Sequence, residues 1–177
     1  MALATPVVSF CEGNMKTRSK FNVSKDKKNR TYNDVEFDSE LEMRYYRDVV
    51  EPRIQSGELI RCEQQKKYIL QPAFKRNGKT VLAIEYKADF VLMYADGREE
   101  IIDTKGFPDP QAILKRKMFW YVYPHLDYRW IGYSKIDGGW CDFEIIKEGR
   151  RTRKKLKVNK GDINGKESKK NEKHRSA

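Results

Sequence analysis

Residues 86–106 read YKADFVLMYADGREEIIDTKG, which predicts two apolar strands joined by a tight turn at Asp96-Gly97. Val, Ile, Phe and Tyr dominate both segments, as is typical of strands in a buried sheet. Carboxylates nevertheless interrupt them, at Asp89 in the first segment and Asp103 in the second. Burying a charge without a partner is costly. These two positions therefore call for a partner, and a divalent metal ion would supply one.

The turn fixes how the two strands should pair. Residue 96 is the midpoint of Asp89 and Asp103, so an antiparallel pairing centred on the turn places the two aspartates opposite each other. Lys105 lies two residues after Asp103, and alternate residues of a strand project from the same face. The sequence therefore predicts Asp89, Asp103 and Lys105 in one cluster.

This cluster suits the chemistry of a hard metal ion. Two carboxylates in contact do not both stay charged cheaply without a cation between them. Oxygen ligands favour Mg²⁺, with Mn²⁺ as a substitute. Asp89 and Asp103 are the candidate ligands, and the backbone carbonyl of Thr104 is a further one. Lys105 is placed to orient a water molecule or to stabilise developing phosphorane charge, and Glu42 is a candidate for holding a second ion or a metal-bound water.

Glu42 belongs to the first strong helix of the chain. Asp38 or Ser39 can cap its start, and Ser39-x-x-Glu42 has the spacing of a capping box. An apolar stripe at helical spacing follows, and Pro52 marks an end, a kink or the start of another turn. The stripe consists of Leu41, Tyr45, Val49 and Ile54.

The other predicted elements give a helix, three or four strands, a second helix and one or two strands. This order favours an α/β (α+β) fold with a central mixed β-sheet and a helix on each side. A turn is predicted at Asn77-Gly78. The predicted strands cover 60–70, 80–93, 99–104, 128–134 and 140–146, and the second helix covers about 110–123.

Charge is distributed unevenly along the 177 residues, whose net formal charge is +11. Residues 1–35 hold 7 Lys/Arg and 3 Asp/Glu, residues 36–146 hold 17 and 19, and residues 147–177 hold 13 and 4. We therefore predict a flexible basic N-terminal arm (1–35), a folded core (36–146) and a basic disordered C-terminal tail (147–177). Basic arms on a near-neutral body fit a polyanion, most simply nucleic acid.

The composition also excludes several classes of protein. The three cysteines are far apart and, with two histidines, do not form a zinc-binding pattern. Unpaired cysteines indicate a reduced, intracellular protein, and we expect it in the cytoplasm. The sequence holds neither a long apolar run for a membrane span nor a signal-peptide pattern.

The motifs resemble the PD-(D/E)XK nuclease superfamily, which has a restriction-endonuclease-like core. The matching residues are Ser39-x-x-Glu42, Tyr86-Lys87-Ala88-Asp89-Phe90 and Asp103-Thr104-Lys105-Gly106, in that order. Within the superfamily they are most similar to the phage-encoded Holliday-junction-resolvase-like family. A transposon-end endonuclease subunit shares similar motifs.

The resemblance implies Mg²⁺-dependent hydrolysis of DNA phosphodiester bonds. Asp89 and Asp103 would bind the metal, Lys105 would be the catalytic lysine and Glu42 the helix carboxylate. The implied substrate is branched or double-stranded DNA, which is cut in phage recombination, replication or packaging. The resemblance also implies a homodimer that acts in the host cytoplasm and needs no small-molecule cofactor. Candidate DNA contacts are Lys115 and Lys117 in the second helix and Arg150, Arg151, Arg153, Lys154 and Lys155 in the tail.

Structural alternatives exist for each residue. Glu42 could serve only as a capping glutamate. Asp89 could pair with Lys87 or with a lysine of a neighbouring strand, and Asp103 with Lys105 could be a simple ion pair at a strand end. Two further functions are a catalytically inactive nucleic-acid-binding module of the same fold and a transposon-end or site-selective endonuclease. A third alternative is a purely structural or protein-binding role, in which the basic tail docks an acidic partner. It would leave DNA unbound even at low salt.

Overall fold

The computed structural model describes residues 27–156, which fall into two compact units that divide after Ile131. The first unit opens with a 3₁₀ turn (Lys27–Arg30) and a short hairpin of β1 (Thr31–Tyr32) and β2 (Val35–Glu36). The Tyr32 hydroxyl donates a 2.6 Å hydrogen bond to Glu51. Residues 27–35 of the predicted flexible arm are therefore folded, while residues 1–26 lie outside the described residues.

The first helix is continuous but changes its winding midway. It consists of α1 (Glu40–Tyr45), a π-helical segment (Tyr46–Val50) and α2 (Glu51–Gln55). Ser39 is the N-cap, and its hydroxyl accepts from the Glu42 backbone N–H at 3.1 Å. The wider π turn shifts the buried side by one residue, so Val50 is fully buried and Val49 only partly. Of the predicted stripe, Tyr45 is buried, while Leu41, Val49 and Ile54 are partly exposed.

The predicted strand 60–70 is two strands, because the chain bends at Gln65, whose φ is +60°. β3 (Leu59–Gln64) joins the main sheet and β4 (Lys67–Gln71) leaves it. The predicted strand 80–93 is likewise divided, into β6 (Lys79–Val81), β7 (Ile84–Lys87) and β8 (Phe90–Tyr94). Two separate ribbons result: β4 pairs with β7, and β5 (Phe74–Arg76) pairs with β6 across the predicted Asn77-Gly78 turn.

The main sheet has five strands in the order β11-β10-β9-β8-β3. β9 (Glu99–Thr104) pairs antiparallel with β8 and parallel with β10 (Asp127–Ser134), and α3 (Pro110–Val122) forms the crossover between β9 and β10. This is a mixed sheet flanked by helices, as predicted.

Burial explains why β8 and β9 lie at the centre. Their apolar residues are buried almost without interruption, the pattern of strands covered on both faces. Tyr45 of α1 packs on Phe90 at 5.6 Å between ring centroids. Phe119 of α3 packs on Tyr128 at 4.5 Å and on Tyr86 at 5.4 Å. Aromatic contacts therefore anchor α1 to β8, and α3 to β10 and β7, which lie next to the predicted cluster in the sheet and in the sequence.

The second unit contains the end of β10, a 3₁₀ turn (Lys135–Asp137), β11 (Gly139–Asp142) and a helix, α4, at residues 143–156. Residues 143–146 were predicted as strand and 147–156 as disordered tail, and both expectations are wrong. Phe143 and Ile146, three residues apart, are buried on one side of the helix. The remainder of the predicted tail, 157–177, lies outside the described residues.

Candidate active-site cleft

Asp89 lies directly before β8, at the point where the chain enters the main sheet. The observed register pairs Phe90 with Ile102, so its continuation by one residue sets Asp89 opposite Asp103, as the turn at residue 96 predicted. The Asp89 carboxylate accepts two hydrogen bonds from Thr104, from the backbone N–H at 2.7 Å and from the hydroxyl at 2.9 Å. The second strand thus fixes the orientation of Asp89.

Lys87 does not neutralise Asp89, contrary to the structural alternative. Its ammonium pairs with Asp38 at 3.2 Å, in front of α1. The carboxylate of Asp89 therefore forms no ion pair with Lys87 and remains part of the cluster.

Asp103 is the most deeply buried acidic residue of the cluster, with 2% of its surface exposed. One carboxylate oxygen pairs with the Lys105 ammonium at 2.5 Å, and the other accepts from the Tyr128 hydroxyl at 3.0 Å. The Trp130 indole N–H donates in turn to the Tyr128 oxygen at 2.5 Å. A chain of donors on the neighbouring parallel strand therefore holds Asp103 in one orientation.

Lys105 follows directly after β9, next to β10. Its backbone N–H donates to the carbonyl of Ile131 at 2.7 Å, and 22% of its side chain is exposed. Burial lowers the pKa of the ammonium, but the charges of Asp103 and Asp89 outweigh this effect, and the pKa lies above its usual value. Lys105 is therefore a fixed positive charge at neutral pH.

Glu42 reaches the cluster from α1 and is 7% exposed. One of its carboxylate oxygens accepts from the Ser39 hydroxyl at 2.8 Å, and the other from the Gln65 amide at 3.3 Å. Burial raises the pKa of Glu42 to about 7, and the charges of Asp38 and Asp103 add to the shift. Glu42 thus has the capping contact of the structural alternative and also lies within the electrostatic field of the cluster.

The pKa of Asp89 shows the strain of placing carboxylates together. Although the residue is partly accessible, burial raises this pKa well above its usual value, and the charges of Glu42 and Asp103 raise it further. Lys105 acts in the opposite direction without cancelling these effects. The site holds more negative charge than its single lysine compensates, which is the condition that a bound cation relieves.

The cluster opens into a cleft of about 230 Å³. Glu42 is not among the residues that line it. Lys115 lines the cleft from α3, with its ammonium donating to the Glu85 carbonyl at 2.7 Å, while the exposed Lys117 does not line it. The lining residues are Tyr86, Lys87, Asp89, Asp103, Lys105, Asp109, Gln111, Ala112 and Lys115.

The donor set suits a hard cation held by few side chains. Within residues 27–156, no three His, Cys, Asp or Glu side chains are grouped closely enough to hold a metal ion. The site predicted from the sequence needs only two carboxylates, Asp89 and Asp103, with the Thr104 carbonyl. Both aspartates line one cleft, and their oxygens are the ligands that Mg²⁺ prefers. Direct coordination by Glu42 remains a prediction.

The tail residues predicted to contact DNA lie in α4, in the second unit. Arg150, Arg151, Lys154 and Lys155 are exposed. Arg153 instead forms a bidentate pair with Asp137, at 2.6 and 2.9 Å. The structure therefore gives Arg153 a partner within its own unit.

Three residues that support the cluster lie outside the predicted site residues. Tyr128 and Trp130 orient Asp103, and their two-residue spacing in a strand next to β9 was the available signal. Gln65 contacts Glu42, although its position in the sequence suggested an exposed strand residue. Its role depends on the bend that separates β3 from β4, and no glycine marks that bend.

Comparison with known proteins places the chain in a family. A family model described as "Protein of unknown function (DUF1064)" matches residues 18–137, which include the whole Glu42, Asp89, Asp103 and Lys105 cluster. No curated protein and no solved structure matches the chain. No helix within residues 27–156 is long and apolar enough to cross a membrane. Since this match covers more than half of the 177 residues, the chain belongs to the DUF1064 family.

Proposed function

We propose that the protein is a Mg²⁺-dependent DNA endonuclease that hydrolyses phosphodiester bonds in branched or double-stranded DNA. The observation that carries the proposal is the meeting of Asp89, Asp103 and Lys105 in one cleft, with an excess of negative charge. The motif resemblance to PD-(D/E)XK nucleases supports the same chemistry. Substrate branching, a homodimeric state and action in the cytoplasm are parts of this proposal.

The residues have separate roles in the proposed reaction. Asp89 and Asp103 would hold Mg²⁺ (or Mn²⁺) together with the Thr104 carbonyl. When bound, the ion supplies Lewis-acid polarisation of a phosphodiester oxygen. Lys105 stays protonated at neutral pH and stabilises the negative charge that develops on the phosphoryl group.

The surrounding residues position these groups. Thr104 fixes the Asp89 carboxylate, and Tyr128 fixes that of Asp103, so neither aspartate needs to reorient when the substrate enters. Glu42, held by Ser39 and Gln65, contributes to the electrostatic field of the cluster without lining the cleft. Lys115 places a positive charge at the cleft, where a DNA backbone would pass.

The direct test is cleavage of a four-way junction, a flap and a linear duplex with Mg²⁺. We expect Asp103→Asn and Lys105→Met each to lower the cleavage rate by about 10²–10³-fold, the usual effect of losing a preorganised electrostatic group. Lys67→Met is a matched control, because Lys67 is an exposed strand lysine that pairs with Glu85 outside the cleft. Parental cleavage rates in both cleft variants would contradict the proposal.

One observation favours a second function, a DNA-binding module of the same fold without hydrolysis. No group of three acidic side chains is arranged for a metal within residues 27–156, and Lys105 already occupies one oxygen of Asp103. Such a module would bind DNA in a salt-sensitive manner. It would give no metal-dependent product with any of the three substrates.

A further inference from the structure

The β5–β6 hairpin stands apart from the sheet that carries the cleft. β5 and β6 form their own two-stranded ribbon, and every residue from 72 to 80 is exposed. The turn at Asn77-Gly78 has positive φ at both residues, +50° and +71°, which matches the twist of a tight hairpin. Phe74 is 45% exposed. The β5–β6 hairpin is therefore a regular ribbon whose residues 72–80 are all exposed.

The charge of this ribbon is entirely positive. Residues 72–83 contain Lys75, Arg76 and Lys79 and no acidic residue. The register sets Arg76 directly opposite Lys79, and like charges in this position destabilise a strand pair. No carboxylate within residues 27–156 forms an ion pair with any of the three. The positive charges of Arg76 and Lys79 therefore repel each other, and a bound polyanion would remove this repulsion.

The neighbouring ribbon shows the contrast. Lys67 of β4 also lies opposite a lysine, Lys87 of β7. There, Lys67 pairs with Glu85 at 3.2 Å and Lys87 with Asp38 at 3.2 Å. Both opposed lysines of the β4–β7 ribbon are therefore neutralised by a carboxylate, whereas the opposed Arg76 and Lys79 of the β5–β6 ribbon are not.

The hairpin is connected to the cleft by a short, direct path. β6 leads through residues 82–83 into β7, which ends two residues before Asp89. Ten residues separate Lys79 from Asp89, so the two lie at most about 33 Å apart at a strand rise of about 3.3 Å per residue. One turn of B-form DNA is about 34–36 Å long. The tip and the cleft can therefore contact a single duplex within one turn.

We infer that the β5–β6 hairpin is a duplex-binding ribbon, which grips the DNA beside the bond presented to the cleft. A two-stranded ribbon fits the major groove, and Lys75, Arg76 and Lys79 would contact the phosphates that flank it. This inference rests on the proposed function for its partner, and it assigns the hairpin a role in affinity rather than in hydrolysis.

The test is a titration of the protein into a labelled DNA duplex of about three helical turns. Binding is monitored by fluorescence anisotropy in the absence of divalent metal. Lys75→Gln, Arg76→Gln and Lys79→Gln are combined in one variant. We expect the affinity to fall at least tenfold, and the slope of log K against log salt to decrease by about 0.9 for each phosphate that the variant no longer neutralises. The exchange variant Lys75→Arg, Arg76→Lys and Lys79→Arg should restore both values.

A matched control removes the same charge elsewhere in the first unit, through Arg47→Gln, Arg61→Gln and Arg98→Gln, all at side chains that are 44–60% exposed. Equal reductions of duplex affinity in the control and hairpin variants would overturn the inference. It would also be overturned if the hairpin variant lost as much affinity for single-stranded DNA as for the duplex. The melting temperature of the hairpin variant should stay the same or rise, because a like-charge pair is removed.

Failure of the inference and failure of the proposed function are distinguishable. If the hairpin variant binds as the parent does while Asp103→Asn abolishes cleavage, the ribbon assignment is wrong and the nuclease proposal stands. If duplex binding depends on the hairpin but no Mg²⁺-dependent product forms, the ribbon assignment stands and the nuclease proposal fails.

Discussion

Glu42 shows how a single residue links the helix start to the cleft. Its pKa of about 7 in the folded protein lies above the ordinary value of 4.5, because the carboxyl is buried among other acids. Between these two values the folded protein binds more protons than the unfolded chain. The stability that this group contributes is therefore fully present below about pH 4.5 and is lost as the pH rises toward 7.

We predict that Glu42→Gln flattens this dependence in the metal-free protein. The shift of Glu42 corresponds to up to about 3 kcal/mol of unfolding free energy lost by the parent between about pH 5 and about pH 8. The measurement is urea unfolding of the parent and the variant in EDTA, which gives the unfolding free energy of each at the two pH values. Asp89 has a shift of the same sign, so part of the slope should persist in the variant.

Glu40→Gln is the matched control, since Glu40 is exposed on the same helix turn. It should leave the pH dependence of the parent unchanged. An equally steep pH dependence in Glu42→Gln and the parent would show that Glu42 is not protonated preferentially in the folded state.

At the scale of elements, the π-helical segment determines which side chains enter the core. A uniform α-helix would bury Tyr45 and Val49 on one side, whereas the wider turn buries Tyr45 and Val50. The offset arises between Tyr46 and Val50, next to the aromatic contact of Tyr46 with Phe37 at 5.3 Å. The same helix positions Glu42 one turn earlier, so its packing supports the cleft.

We predict that Val50→Ala lowers the unfolding free energy by about 2 kcal/mol, through the removed methyl groups and the cavity left behind. Val49→Ala, at a partly exposed neighbour, should cost less than about 1 kcal/mol. Denaturant unfolding of both variants at one pH provides the measurement. A larger loss of stability for Val49→Ala would indicate an uninterrupted α-helix in solution.

The elements also show what the sequence can predict. The register of β8 and β9 follows from the Asp96-Gly97 turn, because a hairpin fixes the pairing of its own strands. The division at Gln65 is not predictable from local pattern, since a glutamine with positive φ is held there by tertiary contacts, including the bond from its N–H to the Asp89 carbonyl at 3.2 Å. Helix α4 was missed because its apolar residues also fit a strand.

At the scale of the whole molecule, the proposed DNA affinity depends on which basic residues lack a strong internal partner. The segment 36–146 is close to neutral, and the excess positive charge lies toward the two ends of the chain. In α4, Arg153 is held by Asp137 within the second unit. Arg151 lies 3.9 Å from Glu148, but both side chains are about 70% exposed, and such a surface pair is weak. Of the tail residues predicted to contact DNA, those available to a polyanion are therefore Arg150, Arg151, Lys154 and Lys155.

We predict that neutralising these four residues with glutamine weakens DNA binding to a similar extent for all sequences and lowers its salt dependence, because phosphate contacts carry no sequence information. Arg153→Gln should instead lower the melting temperature, with little change in the salt slope. Anisotropy titrations and thermal melts of both variants are the measurements. A reversed pattern would assign Arg153 to the DNA and its neighbours to the fold.

The single turn between β8 and β9 also bears on the order in which the cleft is expected to form. It joins Asp89 to Asp103 and Lys105 within one hairpin, and hairpins typically form in about 1–10 μs. Glu42 lies 47 residues before Asp89 in the sequence, so we expect it to join them in a later and slower step. In that order, the two aspartates meet while water still surrounds them, and burial imposes its electrostatic cost when the helix docks. We therefore expect the dehydration of the cleft to contribute to the folding barrier of this protein.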